Sequence, residues 1–168
     1  MAAKVTFKGG PLTLEGTEIR VGVKAPEFTV VNTELKPVTL ADFKGKVKVI
    51  TTFPSVDTPV CDLQVKEFNK RAAGLGEQAV ILAVSKDLPF AQARYCGANG
   101  IKNLVMLSDY QTSSLALAYG LLIKELKLLA RSIILVDKDD TVRYVQIVGE
   151  VTEQPKYDEA IAALKKLM

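Results

Sequence analysis

The chain has 168 residues and a formal net charge of +3, and it is 48% hydrophobic and 24% charged. This length predicts one domain over residues 1–168, and the composition excludes a largely disordered chain. The chain contains no histidine, which excludes imidazole-dependent nucleophile systems and histidine metal sites. Its two cysteines cannot complete a four-thiolate zinc site.

The Lys and Arg residues are dispersed along the chain, which predicts no nucleic-acid partner. Because no run of apolar residues could span a bilayer and no secretory signal is recognisable, we expect no membrane partner and a cytoplasmic protein.

Short apolar segments predict strands along the whole chain. Residues 4–7 and 12–14 flank Lys8-Gly9-Gly10-Pro11, a pattern that predicts an N-terminal β-hairpin. A connector is expected over residues 21–26. Further strands are predicted at 28–31, 47–53, 79–84, 104–107, 132–136 and 142–148, with an Asp-rich turn at 137–140 between the last two.

Helices are predicted between these strands. Residues 58–73 place Cys61, Val65 and Phe68 on one face, the spacing of a half-buried helix that Gly74 could end. A second helix over 87–98 begins with Asp87 and Pro89, both suited to a first turn. Helices at 112–119 and 155–167 complete a mixed α/β arrangement, a central sheet with helices packed on it.

The segment from Phe53 to Cys61 connects a buried strand to the first of these helices. With Thr58 as the N-cap, Pro59 is the first helical residue and Cys61 the third. Unpaired N–H groups and the positive end of the helix dipole surround that position, and both favour a thiolate. Ligands commonly bind where a strand of an α/β sheet leads into a helix. Cys61 is therefore a candidate nucleophile.

Ionisation of a thiol explains only part of a catalytic rate. An ordinary cysteine is about 3% thiolate at pH 7, so complete ionisation gains about 30-fold. Enzymes commonly need at least about 10⁶-fold, so other groups must stabilise the leaving group. The alternatives stay open at this point, because an inert core cysteine and a plain N-cap threonine fit the same pattern.

The run from Phe53 to Cys61 resembles the active-site motif of the peroxiredoxins, with Pro54, Thr58 and Cys61 in the matching positions. Other segments resemble the thiol peroxidase branch, the atypical two-cysteine peroxiredoxins, and together they cover essentially the whole chain. The resemblance implies a thioredoxin-like fold with an N-terminal hairpin, and a homodimer. The matching segments are 22–26 (GVKAP), 53–61 (FPSVDTPVC), 88–92 (LPFAQ), 96–98 (CGA) and 129–132 (LARS).

The same resemblance implies a role for each matching residue. Cys61 would be the peroxidatic cysteine that attacks the O–O bond, and the Thr58 hydroxyl would contact the thiolate and the peroxide. Pro54 would shield the site, and Arg131 would hold the thiolate and polarise the peroxide, a task that suits the fixed donors of a guanidinium. Cys96 would be the resolving cysteine, which condenses with the Cys61 sulfenic acid to a disulfide. Because a disulfide needs Cα atoms within about 7 Å, both helices would partly unwind during turnover.

The leading interpretation is therefore a thioredoxin-dependent peroxidase that reduces hydrogen peroxide or organic hydroperoxides without a metal or organic cofactor. A redox-sensing interaction protein, in which the two cysteines form a switch, is the first alternative. A general dithiol–disulfide oxidoreductase is the second, and the absence of a Cys-x-x-Cys motif argues against it.

Overall fold

The computed structural model describes residues 3–168, in which a mixed sheet is covered by helices. Its helices are α1 (Pro59–Ala72), α2 (Pro89–Asn99), α3 (Ser114–Ala118) and α4 (Tyr157–Lys165), with 3₁₀ turns at Leu40–Phe43 and Gly76–Gln78. Its strands are β1 (Val5–Phe7), β2 (Gly10–Leu12), β3 (Leu14–Glu15), β4 (Thr29–Asn32), β5 (Pro37–Thr39), β6 (Val47–Thr52), β7 (Ala79–Ser85), β8 (Val105–Ser108), β9 (Leu122–Ile123), β10 (Leu128–Leu129), β11 (Ser132–Val136) and β12 (Val142–Ile147).

The central sheet has seven strands in the order β12-β11-β6-β7-β8-β4-β5. Strands β6, β7 and β8 are parallel, whereas β11 pairs antiparallel with β6 and β4 pairs antiparallel with β8. The carboxyl ends of the three parallel strands therefore meet at one edge, where the loop that leads to α1 begins. The predicted mixed α/β class is confirmed.

The two faces of the sheet carry different helices. Alternate residues of a strand point to opposite faces, and β7 shows this pattern. Ile81 and Ala83 join the apolar clusters that contain α1, α2 and α4, whereas Leu82 and Val84 join the cluster that contains α3. Within the described residues, no helix combines the length and the apolar character that a bilayer crossing requires.

The N-terminal hairpin is present but shorter than predicted. Phe7 pairs with Gly10, so the turn consists of Lys8 and Gly9 alone, both at positive φ (50° and 82°). Such a two-residue turn matches the twist of the strands it joins. The prediction that Gly10 and Pro11 belong to the turn is wrong, because both lie in β2, an edge strand that tolerates proline.

Other differences concern short elements. The strand predicted at 28–31 is Thr29–Asn32, and the helix predicted at 112–119 contains only Ser114–Ala118. The sequence did not predict three strands of two or three residues, which are β5, β9 and β10. Each is too short to show an alternation of apolar residues, although β5 pairs with the neighbouring β4 and β10 with the neighbouring β9.

Candidate active site

The first turn of α1 has the predicted arrangement. Thr58 occupies the N-cap with an extended backbone, Pro59 is the first helical residue, and the N–H of Asp62 donates to the Thr58 carbonyl at 3.0 Å. The Thr58 hydroxyl does not cap the helix, because it donates to the Ser55 carbonyl at 3.1 Å. Its lone pairs and its position at the start of the helix leave it able to accept or redirect a hydrogen bond.

Cys61 is completely buried in an apolar cluster. Among residues 3–168, no hydrogen bond reaches its sulfur in this conformation. The contacts from Thr58 and Arg131 that the resemblance implies are therefore not formed, and the roles of these residues stay predictions. The other buried members of this cluster are Phe53, Val56, Val65, Ala83, Tyr95, Ile101 and Met106.

Arg131 lies directly before β11 and is only 1% exposed. Its Nε and Nη2 both donate to the Val151 carbonyl, at 3.0 and 2.7 Å, and its Nη1 donates to Gln64 Oε1 at 2.7 Å. A guanidinium has five N–H donors, so one N–H on each terminal nitrogen is left over for a ligand. These three hydrogen bonds fix the orientation of the planar guanidinium group.

Gln64 accepts a hydrogen bond from Arg131 and was not among the site residues predicted from the sequence. Its Nε2 donates to the Thr51 hydroxyl at 2.6 Å and to the Thr52 carbonyl at 3.1 Å, so its Oε1 is directed at Arg131. The signal was present in the sequence: a polar residue three positions after Cys61 shares the buried face of the helix. A polar residue on that face needs a buried partner.

A cavity of about 290 Å³ lies at the start of α1. It brings together three of the five predicted site residues, Pro54, Thr58 and Arg131, whereas Cys61 and Cys96 do not line it. Pro59 and Val60, which directly precede Cys61, are part of its wall. The remaining wall is formed by Phe7, Lys8, Ser55, Leu126, Leu128, Val151 and Thr152.

Glu150 attaches the N-terminal hairpin to this cavity. Its carboxylate accepts from the Thr6 hydroxyl and the Gly9 N–H, both at 2.9 Å, and from the hydroxyl and the N–H of Thr152, at 2.6 and 2.8 Å. The hydrogen bonds from Thr152 and Gly9 lower the pKa of Glu150 to about 2. The carboxylate therefore stays charged in moderately acidic solution too, and its hydrogen bonds connect the hairpin that carries Phe7 to the segment that contains Val151.

Cys96 lies on α2 and is half-buried against the apolar cluster that contains Cys61. Both cysteines are free thiols, and burial raises the pKa of Cys96. The predicted placement of the two cysteines on separate helices is confirmed. Helix α2 ends at Asn99 and is followed by Gly100, whose φ of 65° is a left-handed conformation that suits glycine.

Asp87 joins the loop that leads to Cys61 with the loop before α2. Its carboxylate accepts from the Ser55 and Ser85 hydroxyls at 2.7 and 2.6 Å and from the Val56 N–H at 2.9 Å. The prediction that α2 begins at Asp87 is wrong, since the helix begins at Pro89. The Asp87 side chain cross-links the carboxyl ends of two strands instead.

Comparisons with known proteins identify the family to which the chain belongs. The redoxin family model matches residues 20–161. Thiol peroxidases from Bacillus subtilis (strain 168) and Halalkalibacterium halodurans (strain C-125) are 51% and 50% identical to the chain, over 99% and 97% of its length and 99% and 98% of theirs. The chain belongs to the redoxin family, in its thiol peroxidase branch. The recognised resemblance and the predicted enzyme class, a thiol-dependent peroxidase, are confirmed.

Solved structures agree with the thioredoxin-like fold that the thiol peroxidase branch implies. A peroxiredoxin-like protein from Aquifex aeolicus superposes with a TM-score of 0.94 at 42% identity, covering 100% of this chain and 99% of its own. A thiol peroxidase from Chromobacterium violaceum superposes with a TM-score of 0.86 at 22% identity, over 98% and 97% of the two chains, and shows the fold alone. The predicted fold class is therefore confirmed.

Proposed function

We propose that this thiol peroxidase reduces hydroperoxides through Cys61 and resolves the product through Cys96. The Cys61 thiolate attacks the distal oxygen of ROOH, the O–O bond breaks, and with one proton the products are Cys61–SOH and ROH. Cys61–SOH and the Cys96 thiol then form a disulfide and release water. The observation that carries the proposal is the cavity that gathers Pro54, Thr58 and Arg131 at the first turn of the Cys61 helix.

Arg131 supplies the electrostatic part of this reaction. Negative charge develops on the leaving oxygen as the O–O bond breaks. Arg131 lines the same cavity as Thr58 and keeps two N–H groups that are not committed to protein partners. Gln64 and Val151 hold the guanidinium in place before the peroxide arrives. The Thr58 hydroxyl would exchange its bond to Ser55 for one to the peroxide or the sulfur.

The apolar wall of the cavity supports organic hydroperoxides as substrates in addition to hydrogen peroxide. Hydrogen peroxide needs only a few polar contacts, whereas an apolar cavity of this volume accommodates a hydrocarbon or aryl group. Phe7 and Leu126 are 42% and 41% exposed at its rim. Binding the organic group there would remove apolar surface from water on both sides.

The substitution Phe7→Ser tests this substrate class. We expect kcat/KM for cumene hydroperoxide to fall about fivefold, because part of the apolar wall is lost, while kcat/KM for hydrogen peroxide stays unchanged. Val21→Ser, at an exposed apolar residue outside the cavity wall, is the matched control. Equal losses for both peroxides would exclude a specific role of the wall in binding the organic group.

Recycling of the disulfide requires an external dithiol, and we propose thioredoxin as its source in the cytoplasm. Reducing conditions in that compartment return both cysteines to thiols, which are the forms the structure contains. Thioredoxin, the cytoplasmic location and the homodimer that the resemblance implies stay predictions.

Intact mass measurement tests the proposed function directly. Reduced protein treated with one equivalent of hydrogen peroxide, then denatured with a thiol-blocking reagent, is expected to lose two hydrogens and to contain a Cys61–Cys96 bond. Thioredoxin, thioredoxin reductase and NADPH should then sustain many turnovers. Loss of one equivalent of peroxide without recycling would support the redox sensor, and a chain that stays fully alkylated would contradict the proposal.

A further inference from the structure

One side-chain hydrogen bond joins the two cysteine-bearing helices beside the cysteines themselves. Tyr95 Oη donates to Asp62 Oδ1 at 2.5 Å and lies 3.3 Å from the Asp62 carbonyl oxygen. Asp62 directly follows Cys61 on α1, and Tyr95 directly precedes Cys96 on α2. Tyr95 is 8% exposed and belongs to the same buried apolar cluster as Cys61.

The reaction proposed above cannot finish in this arrangement. Both cysteines are free thiols in intact helices, and Cys61 is fully buried. A disulfide requires the two sulfurs to approach to about 2.05 Å with restricted Cα and Cβ separations. The sulfurs must therefore approach each other, which requires movement of one or both of the side chains and segments that carry them. The Tyr95–Asp62 hydrogen bond spans the same two segments.

The charge state of the pair makes this bond strong. Burial would raise the pKa of Asp62, yet hydrogen bonds from Tyr95 and Lys66 lower it. Burial and the bond to Asp62 raise the pKa of Tyr95. The phenol is therefore a donor and the carboxylate a charged acceptor at neutral pH, a combination stronger than a neutral hydrogen bond.

We propose that the Tyr95–Asp62 hydrogen bond is a latch that holds both helices in the peroxide-reactive arrangement and limits the rate at which the Cys61 sulfenic acid reaches Cys96. Tyr95 and Asp62 are positioning residues for the resolving step. This inference rests on the proposed function.

The latch determines which of two fates the sulfenic acid meets. In one, Cys61–SOH and Cys96–SH form the disulfide and water. In the other, Cys61–SOH reacts with a second ROOH to give Cys61–SO₂H and ROH, and the enzyme is inactivated. A closed latch prolongs the life of the sulfenic acid and favours the second fate at high peroxide.

The substitution Tyr95→Phe tests the latch, because it removes the hydroxyl and keeps the ring in the cluster. We expect disulfide formation about tenfold faster, and about tenfold more peroxide for half-conversion to sulfinic acid, since a hydrogen bond to a charged group is worth about that factor. Rapid quenching into a thiol-blocking denaturant followed by intact mass measures both quantities. Asp62→Ala should give the same change, and the double variant no more than either.

Two variants serve as controls. Tyr144→Phe removes another phenol, hydrogen-bonded to the Glu159 carboxylate, and Lys66→Ala removes the other partner of Asp62. Both should match the wild-type chain. Amide hydrogen exchange in residues 57–64 and 89–99 gives a readout that needs no peroxide chemistry, and Tyr95→Phe should raise it about tenfold.

The outcomes separate the latch from the proposed function. Unchanged exchange in Tyr95→Phe, or disulfide formation that is unchanged or slower, overturns the latch. A wild-type chain that forms neither sulfenic acid nor disulfide overturns the peroxidase proposal instead. In that case the hydrogen-exchange comparison alone tests whether the Tyr95–Asp62 hydrogen bond restrains the two helices.

Discussion

Cys61→Ser is expected to abolish peroxide consumption, with a loss of at least about 1,000-fold in kcat/KM. A serine hydroxyl at neutral pH is essentially never ionised, so the variant has no anion to attack the O–O bond. The shape of the side chain changes little, because serine differs from cysteine by one atom, although its hydroxyl is buried in an apolar cluster and lowers the stability of the fold. The measurement is the initial rate of peroxide loss in the presence of a dithiol.

Cys96→Ser is the matched control for this first prediction. It removes the other cysteine of the chain but leaves Cys61, so one equivalent of peroxide should be consumed at the wild-type rate. Turnover with thioredoxin should then stop, or sulfinic acid should accumulate on Cys61. Appreciable activity in Cys61→Ser would refute the nucleophile assignment, and full turnover in Cys96→Ser would remove the resolving role.

Arg131→Lys is expected to lower kcat/KM about 100-fold although the charge is retained. Removal of one preorganised donor to a developing anion commonly costs about this much. A lysine ammonium is one centre of charge with three N–H groups. Bonds to Gln64 Oε1 and the Val151 carbonyl would leave it at most one N–H for the peroxide, whereas Arg131 keeps two in a fixed plane. Peroxide kinetics over a range of concentrations would separate kcat from KM.

The buried position of Arg131 requires a check on folding. Urea unfolding of the variant should show a native state that is destabilised but still fully populated without denaturant, so the kinetic loss can be assigned to the site. Arg143→Lys, at an arginine that binds Asp137 away from the cavity, should keep wild-type kinetics. A folded Arg131→Lys variant with wild-type kinetics would leave Arg131 without a part in the reaction.

Much of the fold follows from local patterns in the chain. The long strands β6 and β7 are rich in apolar and β-branched residues, interrupted in β6 by Lys48, which is typical of strands buried on both faces. The face of α1 that carries Cys61, Val65 and Phe68 is buried as its spacing predicts. The short strands were missed, because a segment of two or three residues is too short to show a period of apolar residues.

Local chemistry also predicted the centre of the candidate site. The absence of histidine, a proline at the first helical position and a cysteine two residues later indicate a thiol that needs help from another charged group. Five arginines are present, and nothing in composition selects Arg131 among them. Its assignment came from the family resemblance, and the structure shows it lining the same cavity as Pro54 and Thr58.

The amino-acid sequence by itself determined the type of chemistry, since the reactive groups and the start of the Cys61 helix are encoded within a few neighbouring residues. Tertiary structure alone decided which distant groups support them. The bond from Arg131 to Gln64 joins residues 67 positions apart, the bond from Thr6 to Glu150 joins residues 144 apart, and the bond from Tyr95 to Asp62 joins residues 33 apart. Such contacts form only when the sheet has placed its strand ends side by side, and a hydrogen bond across that distance leaves no periodic signal in the chain.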